Sequence, residues 1–346
     1  MMKSRDNNNK TAPYVALLIT GTCRELLFLL KLIPHLAGET GFDIFIVLRQ
    51  VYQGEGSHLG GVEQNCDSLL LNEALIHCEE RILGEVTFCR LPAIDPDETL
   101  RRILIPVGPT TPEREMGMVS MFHGVFTGVE MIQAAMRRYT HVLKTRTDYL
   151  PETTPWIDSL LDRYAAAEGR VIVDGCATVP HRYPDRPDIP WQGSIHDVFS
   201  FSSLEQFMQL WDFRNSFHKV WTGVPETTLF RAVMQRLLCD DLQSPRRNKA
   251  LLDHYFTWDK NDGGQSKHLM RAGLLTPELK VHLISMIEAR VISADRIQNL
   301  LRNLLDHIIG VLDEKGWWDA CEVLPDENKT KLISLAAAAK VKVKLI

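Results

Sequence analysis

The sequence predicts an α/β fold with a mainly parallel sheet, and three observations predict it. Tyr14-Val-Ala-Leu-Leu-Ile19 is an unbroken apolar run ending in Thr20-Gly21-Thr22. That is the pattern of a strand buried on both faces that opens into a ligand-side loop. Strand-like and helix-like runs then alternate as far as Leu238, which implies βαβ units. Finally, Met118, Phe122, Val125, Val129, Ile132 and Met136 recur at steps of three and four residues, so one long helix buries a stripe against the sheet.

Element by element, a helix over 24–36 follows the first strand, and 42–48 (Phe-Asp-Ile-Phe-Ile-Val-Leu) is the second strand. A helix over 69–80 leads to a strand at 86–91 and a loop at 92–97. The long helix covers 116–139, and Tyr139-Thr-His-Val-Leu-Lys144 is a short central strand. A helix closes over 164–168 before a strand at 170–174. The stretch 177–193 holds prolines at 180, 184, 187 and 190; proline fixes φ and lacks a donor, so this stretch reads as an irregular loop. Residues 197–202 form a strand. Ser203 caps a helix over 203–213, with Gln206 three positions later completing a capping box. Pro225-Glu226 opens a helix through Leu238. Past Pro245 the pattern becomes helical, over 277–290, 293–313 and 326–339. The expected organisation is a disordered tail over 1–12, a catalytic α/β domain over 13–260 and a helical extension over 261–346.

Composition narrows the function. Among 346 residues, 45% are apolar and 24% charged, with a formal net charge of −5. Phosphate neutralisation needs a basic face, so nucleic acid is not the expected partner. The seven cysteines are scattered, odd in number and without a C-x-x-C pair, which argues against a disulfide framework or structural zinc and points to a reducing cytoplasm. The N-terminal residues lack the apolar core of a signal peptide, and no apolar run reaches the length of about 18 residues that marks a span. Lysines at 340, 342 and 344 support at most peripheral contact with the inner face of a membrane. Spacings for a P-loop, a G-x-G-x-x-G loop, a histidine metal site and a G-x-S-x-G elbow are all missing from the sequence.

The chemistry concentrates in Lys144-Thr-Arg-Thr-Asp148. In an extended segment, Lys144, Arg146 and Asp148 share one face. Cations at a strand end neutralise a leaving diphosphate, and a carboxylate there holds a divalent metal that does the same. The same pattern also fits a surface ion-pair cluster. Asp197, ahead of an apolar strand, has the chemistry of a general base for a hydroxyl acceptor, and equally that of a solvated acid at a strand start. His196 beside it reads as a packing or hydrogen-bonding residue. Glu226 in the first turn of a helix is fully explained by the helix dipole. Trp191 and Trp221 offer faces for a sugar ring or simply fill the core.

Three blocks, "YTHVLKTRTDYLP", "IHDVFSFSSLEQFMQLWDF" and "VPETTLF", occur in an order that resembles the WavE-like lipopolysaccharide-synthesis proteins, a group of GT-A-type glycosyltransferases. The resemblance spans roughly 14–238. It implies a GT-A-like nucleotide-diphospho-sugar transferase sheet with flanking helices. It implies that Thr20, Gly21, Thr22 and Arg24 lie beside the nucleotide, with Lys144, Arg146 and Asp148 at the diphosphate. It makes Asp148 the ligand of a divalent cation (Mn or Mg), and Asp197 and Glu226 the catalytic or acceptor-binding acids. The partners it implies are a nucleotide-sugar donor and a glycan or glycolipid acceptor. One departure is plain: the D-x-D triplet of such enzymes reads Arg146-Thr147-Asp148 here, so Arg146 stands where a carboxylate is expected and is suited to pair with the diphosphate itself. The alternatives from sequence are another nucleotide-binding α/β transferase (a nucleotidyltransferase or methyltransferase) and a catalytically silent interaction protein on a transferase fold.

Overall fold

The computed structural model describes residues 12–23, 26–36, 38–50, 67–80, 82, 84–92, 112–147, 149, 156–174, 176–179, 192–222, 225–238, 250 and 252–258. Residues 1–11, Arg24, Asp148, the four prolines of 180–190, Trp191 and the expected extension over 261–346 lie outside them.

Nine strands and seven helices are named in chain order: β1 (Tyr14–Gly21), α1 (Leu26–Leu36), β2 (Gly41–Arg49), α2 (Ser68–Glu79), β3 (Val86–Leu91), α3 (Pro112–Ala134), β4 (His141–Arg146), α4 (Trp156–Ala166), β5 (Val171–Val173), β6 (Cys176–Val179), β7 (Gln192–Ile195), β8 (Ser200–Ser203), α5 (Leu204–Trp211), α6 (Phe217–Val220), α7 (Pro225–Leu238) and β9 (Phe256–Trp258). The main sheet has seven strands in the order β3-β2-β1-β4-β8-β5-β9. All neighbours pair in parallel except β8, which runs antiparallel to both β4 and β5. The expectation of a mainly parallel α/β sheet holds, with one reversed strand.

Alternation along β1 explains the layers. Val15, Leu17 and Ile19 pack with α1, α2 and α4 on one face, while Ala16 and Leu18 pack with α3, α5 and α7 on the other. Every one of these five side chains is fully buried. Burying a side chain of Val or Leu size is worth about 1.5–3 kcal/mol, so β1 is the backbone of both cores. The capping box at α5 forms as expected: Ser203 Oγ accepts from Gln206 N at 3.2 Å.

Four expectations need correction. The long helix ends at Ala134, so Met136 leaves the buried stripe and is fully exposed. The central strand starts at His141, because Thr140 N donates to the Tyr14 carbonyl and makes the entry rung itself. The ends of 177–193 are not irregular: β6 and β7 pair as an antiparallel ribbon from Cys176↔Ile195 to Val179↔Gln192. The four prolines belong to 180–190, outside the described residues. The strand expected over 197–202 shortens to Ser200–Ser203, since residues 196–199 form a turn whose Asp197 carbonyl is taken by the Lys144 side chain.

Candidate functional site

Chain order reverses at β1: β2 and β3 extend the sheet to one side and β4 to the other. In open α/β sheets the crevice outside the carboxyl ends of strands at such a switch point is where ligands bind. Here that crevice lies between the ends of β1 and β4, so Thr20, Gly21 and Thr22 face Arg146 and Thr147 across it. The register sets Thr20 opposite Arg146, and Thr147 N donates to the Thr20 carbonyl at 3.2 Å. Gly21 has φ +143°, and a Cβ there would stand 2.9 Å from Thr147 Oγ1. Only glycine meets both demands without strain. Thr20 and Thr22 are buried, and neither hydroxyl has a hydrogen-bond partner.

Antiparallel β8 brings a second set of residues to the same edge. Lys144 sits opposite Ser200 in the ladder and is 0% exposed. Its Nζ donates to the Asp197 carbonyl and lies 4.6 Å from the centre of the Trp211 ring. Trp211 in turn donates from Nε1 to Ser200 Oγ at 3.0 Å. A buried ammonium is costly unless hydrogen-bonded, and these contacts hold it below the turn that carries Asp197. Asp197 is 2% exposed, and its Oδ2 has no partner. Lys144 and Asp197, which the sequence assigned to different tasks, are thus one unit. Arg146 is half-buried on the same face of β4 as Lys144.

Glu226 stands in the first turn of α7 and is half-buried. Because α7 packs along β7, it belongs to the same side of the molecule as the turn that follows β7. Thr222 N donates to Thr228 Oγ1 at 3.1 Å, which tightens the entry to the helix. Trp221 is buried and meets Phe122 edge-on at 6.3 Å; it is a core residue. Arg24 and Asp148 are not among the described residues, and those residues contain no group of three or more His, Cys, Asp or Glu able to hold a metal.

Two features escaped sequence reasoning. Asp174, one residue past β5, accepts from His196 Nδ1 at 3.4 Å. The only sign of it was an acid following the apolar Val171-Ile-Val173 run. Cys23, at the mouth of the β1 loop, is disulfide-bonded, whereas Cys78 and Cys89 are free. That bond departs from the expectation of reduced cysteines and removes one support for a reducing compartment. Among the described residues no helix is long and apolar enough to cross a membrane.

No family model matches the chain, and no curated protein matches it. Among solved structures, the apo form of mouse xyloside xylosyltransferase 1 is similar to it at 14% identity, with a TM-score of 0.31, over 77% of this chain and 83% of that one.

Proposed function

We propose that the chain is a glycosyltransferase that moves a sugar from a nucleotide-sugar donor to a glycan or glycolipid acceptor, of the kind that builds lipopolysaccharide. One observation carries the reading: three buried polar side chains without partners, Thr20, Thr22 and Asp197, gather at the carboxyl edge of the sheet around its switch point. Buried polar groups are nearly always hydrogen-bonded, and exceptions mark function or a missing ligand. The three-block resemblance supplies the reaction class.

In this reading the nucleotide lies across Thr20–Thr22, and the two threonine hydroxyls bond to it. Gly21 lets the backbone come close. Arg146, at the end of β4, pairs with the diphosphate as its negative charge develops. Lys144 acts from below, holding the turn of Asp197 in place, and Asp197 with Glu226 shapes the acceptor side. A divalent cation (Mn or Mg) at Asp148 belongs to the proposal. The described residues offer no further carboxylate cluster for it.

The test is a thermal-shift series with UDP, GDP and CMP and their sugars, with and without manganese. A donor bound at 100 times its Kd raises stability by about 2.7 kcal/mol, a shift of several degrees. Stabilisation by one nucleotide diphosphate, lost in Asp148→Asn, supports the reading. No shift with any of them sinks it, and a preference for S-adenosylmethionine or nucleoside triphosphates turns it to the other transferase classes.

A further inference from the structure

Away from the switch point, on the flank of the sheet where β5 and β9 begin, three short segments line a cavity of about 400 Å³. Glu168 and Arg170 come from the turn between α4 and β5, and Gln206 from the first turn of α5. Asp253, His254 and Tyr255 are the residues just ahead of β9. Because β9 runs parallel to β5 and β8 runs against it, all three segments meet at one edge. The volume lies in the range of about 300–1,000 Å³ typical of sites for small molecules.

Hydrogen bonds pin the walls. Gly169 N donates to the Tyr164 carbonyl at 2.9 Å and Glu168 N to that of Ala165 at 3.0 Å, which closes the end of α4. Gln206 Nε2 donates to the Gly169 carbonyl at 2.7 Å and ties this turn to α5. Arg170 donates from Nε to the Ala167 carbonyl at 3.0 Å and from Nη1 to the Asp253 carbonyl at 3.3 Å. The turn and the segment before β9 are thereby joined. Walls held in this way are pre-organised, which lowers the entropy cost of binding.

Glu168 breaks two local rules. It is the only non-glycine residue of positive φ among the described residues, at +56°, in the position that glycine usually takes after a helix. A carboxylate there also stands at the negative end of the helix dipole. Glu168 and Asp253 are exposed, and among the described residues neither carboxylate pairs with Arg170 or any other cation. Solvated acids at the ends of elements are common and need no function. An acid set against its own backbone and helix, on the wall of a pinned cavity, is less easily explained that way.

The mixture of groups selects the ligand. An anion would meet two carboxylates, and an organic cation would meet the Arg170 guanidinium. A metal ion would find no group of three His, Cys, Asp or Glu among the described residues. Hydroxyl groups both donate and accept, so a neutral sugar can donate to Glu168 and Asp253 while accepting from Arg170. Its apolar face suits an aromatic ring, and Tyr255 is half-buried with the His254 ring edge-on to it at 4.9 Å. We propose that this cavity is a second glycan site, which holds a neutral sugar of the acceptor chain away from the transfer centre. The neutral-sugar chemistry follows from the lining, and the acceptor role rests on the glycosyltransferase reading.

The experiment titrates the full chain by calorimetry with maltohexaose, cellohexaose and mannohexaose, with spermidine and inorganic phosphate as charged probes. At least one hexasaccharide binds, and neither charged probe does. Glu168→Gly weakens that binding at least about tenfold, the scale of a lost hydrogen bond to a charged group. Its melting temperature stays the same or rises, because glycine suits the left-handed turn; a merely structural Glu168 would not separate the two readouts. Asp253→Asn weakens binding as well, with an unchanged melt. Binding of no hexasaccharide, binding unaltered in both variants, or a preference for spermidine or phosphate overturns the site. A parallel titration with UDP-, GDP- and CMP-sugars separates this from the wider reading. Sugar nucleotides that bind where no hexasaccharide does leave the wider reading intact and overturn only the second site. Hexasaccharide binding without any sugar-nucleotide binding keeps the glycan site and overturns its acceptor role.

Discussion

At the edge where the parallel strands begin, Asp43 is buried and every contact is met. Its Oδ1 accepts from Tyr14 OH at 2.9 Å and from Glu85 N at 2.8 Å, its Oδ2 accepts from Tyr139 OH at 2.8 Å, and Arg137 Nε lies 3.7 Å away. At the edge where they end, Asp197 is just as buried, yet its Oδ2 has no partner, and Thr20 and Thr22 repeat the pattern. The two buried aspartates therefore differ: the one where the strands begin has its hydrogen bonds met, and the one where they end leaves Oδ2 open. Asp43 makes the closed end structural, and the open end is where the proposed site lies. Burial, then the bond to Asp43, pushes the Tyr14 hydroxyl up to about 12 and raises that of Tyr139 above its usual value. Both stay protonated as donors across the working pH range.

The largest effect comes from breaking the closed end. Asp43→Ala leaves two tyrosine hydroxyls and the Glu85 N–H without their acceptor. At about 1–3 kcal/mol for each donor left unsatisfied and buried, and less where water reaches Tyr14, the loss is about 3 kcal/mol or more. Urea unfolding measures it. Nucleotide affinity per folded molecule should not change, because the proposed site is at the opposite edge.

How far the sequence discloses this contrast depends on the range of the interaction. The strands at 14–19, 42–48 and 86–91, the helix at Pro225 and the Ser203–Gln206 box rest on local pattern, and all are present. The switch point became visible only with strand order, which is a non-local pairing. Reversal of β8 is likewise unreadable from "SFSS", and it is this reversal that carries Asp197 over Lys144. Sequence reads Lys144 as a solvent-side cation because lysine is seldom fully buried; Trp211, 67 positions further along the chain, is what makes its burial tolerable. Asp174 follows a three-residue strand, too short to show a period. Thr20, Thr22 and Asp197 were named from sequence, but their missing partners are a property of the fold alone.

The open end should respond in the opposite way. Asp197→Asn removes no accepted hydrogen bond at Oδ2, and the Lys144 contact is to the backbone carbonyl, which the variant keeps. The expected cost in unfolding free energy is below about 1 kcal/mol. Nucleotide release from a bound sugar donor should fall about 100-fold, equivalent to about 2.7 kcal/mol in the barrier. A stability loss matching that of Asp43→Ala would erase the difference between the two edges.

Two glycines sharpen the comparison by a smaller amount. Gly21 lies at the open edge with φ +143°, and its added Cβ would press on Thr147 Oγ1 at 2.9 Å. Gly124 lies within α3, where an added Cβ meets only Val47 Cγ1 at 3.9 Å, an ordinary contact. Gly21→Ala should cost about 2 kcal/mol, the scale of a side chain forced into a glycine-only conformation. It should also weaken nucleotide binding, since the Thr147 side chain must shift beside the proposed crevice. Gly124→Ala should raise stability by about 0.5–1 kcal/mol through helix propensity and leave binding alone. Thermal melts with and without nucleotide read all four quantities. If both variants shift only the melt and neither changes nucleotide binding, the crevice between β1 and β4 is not where the ligand sits.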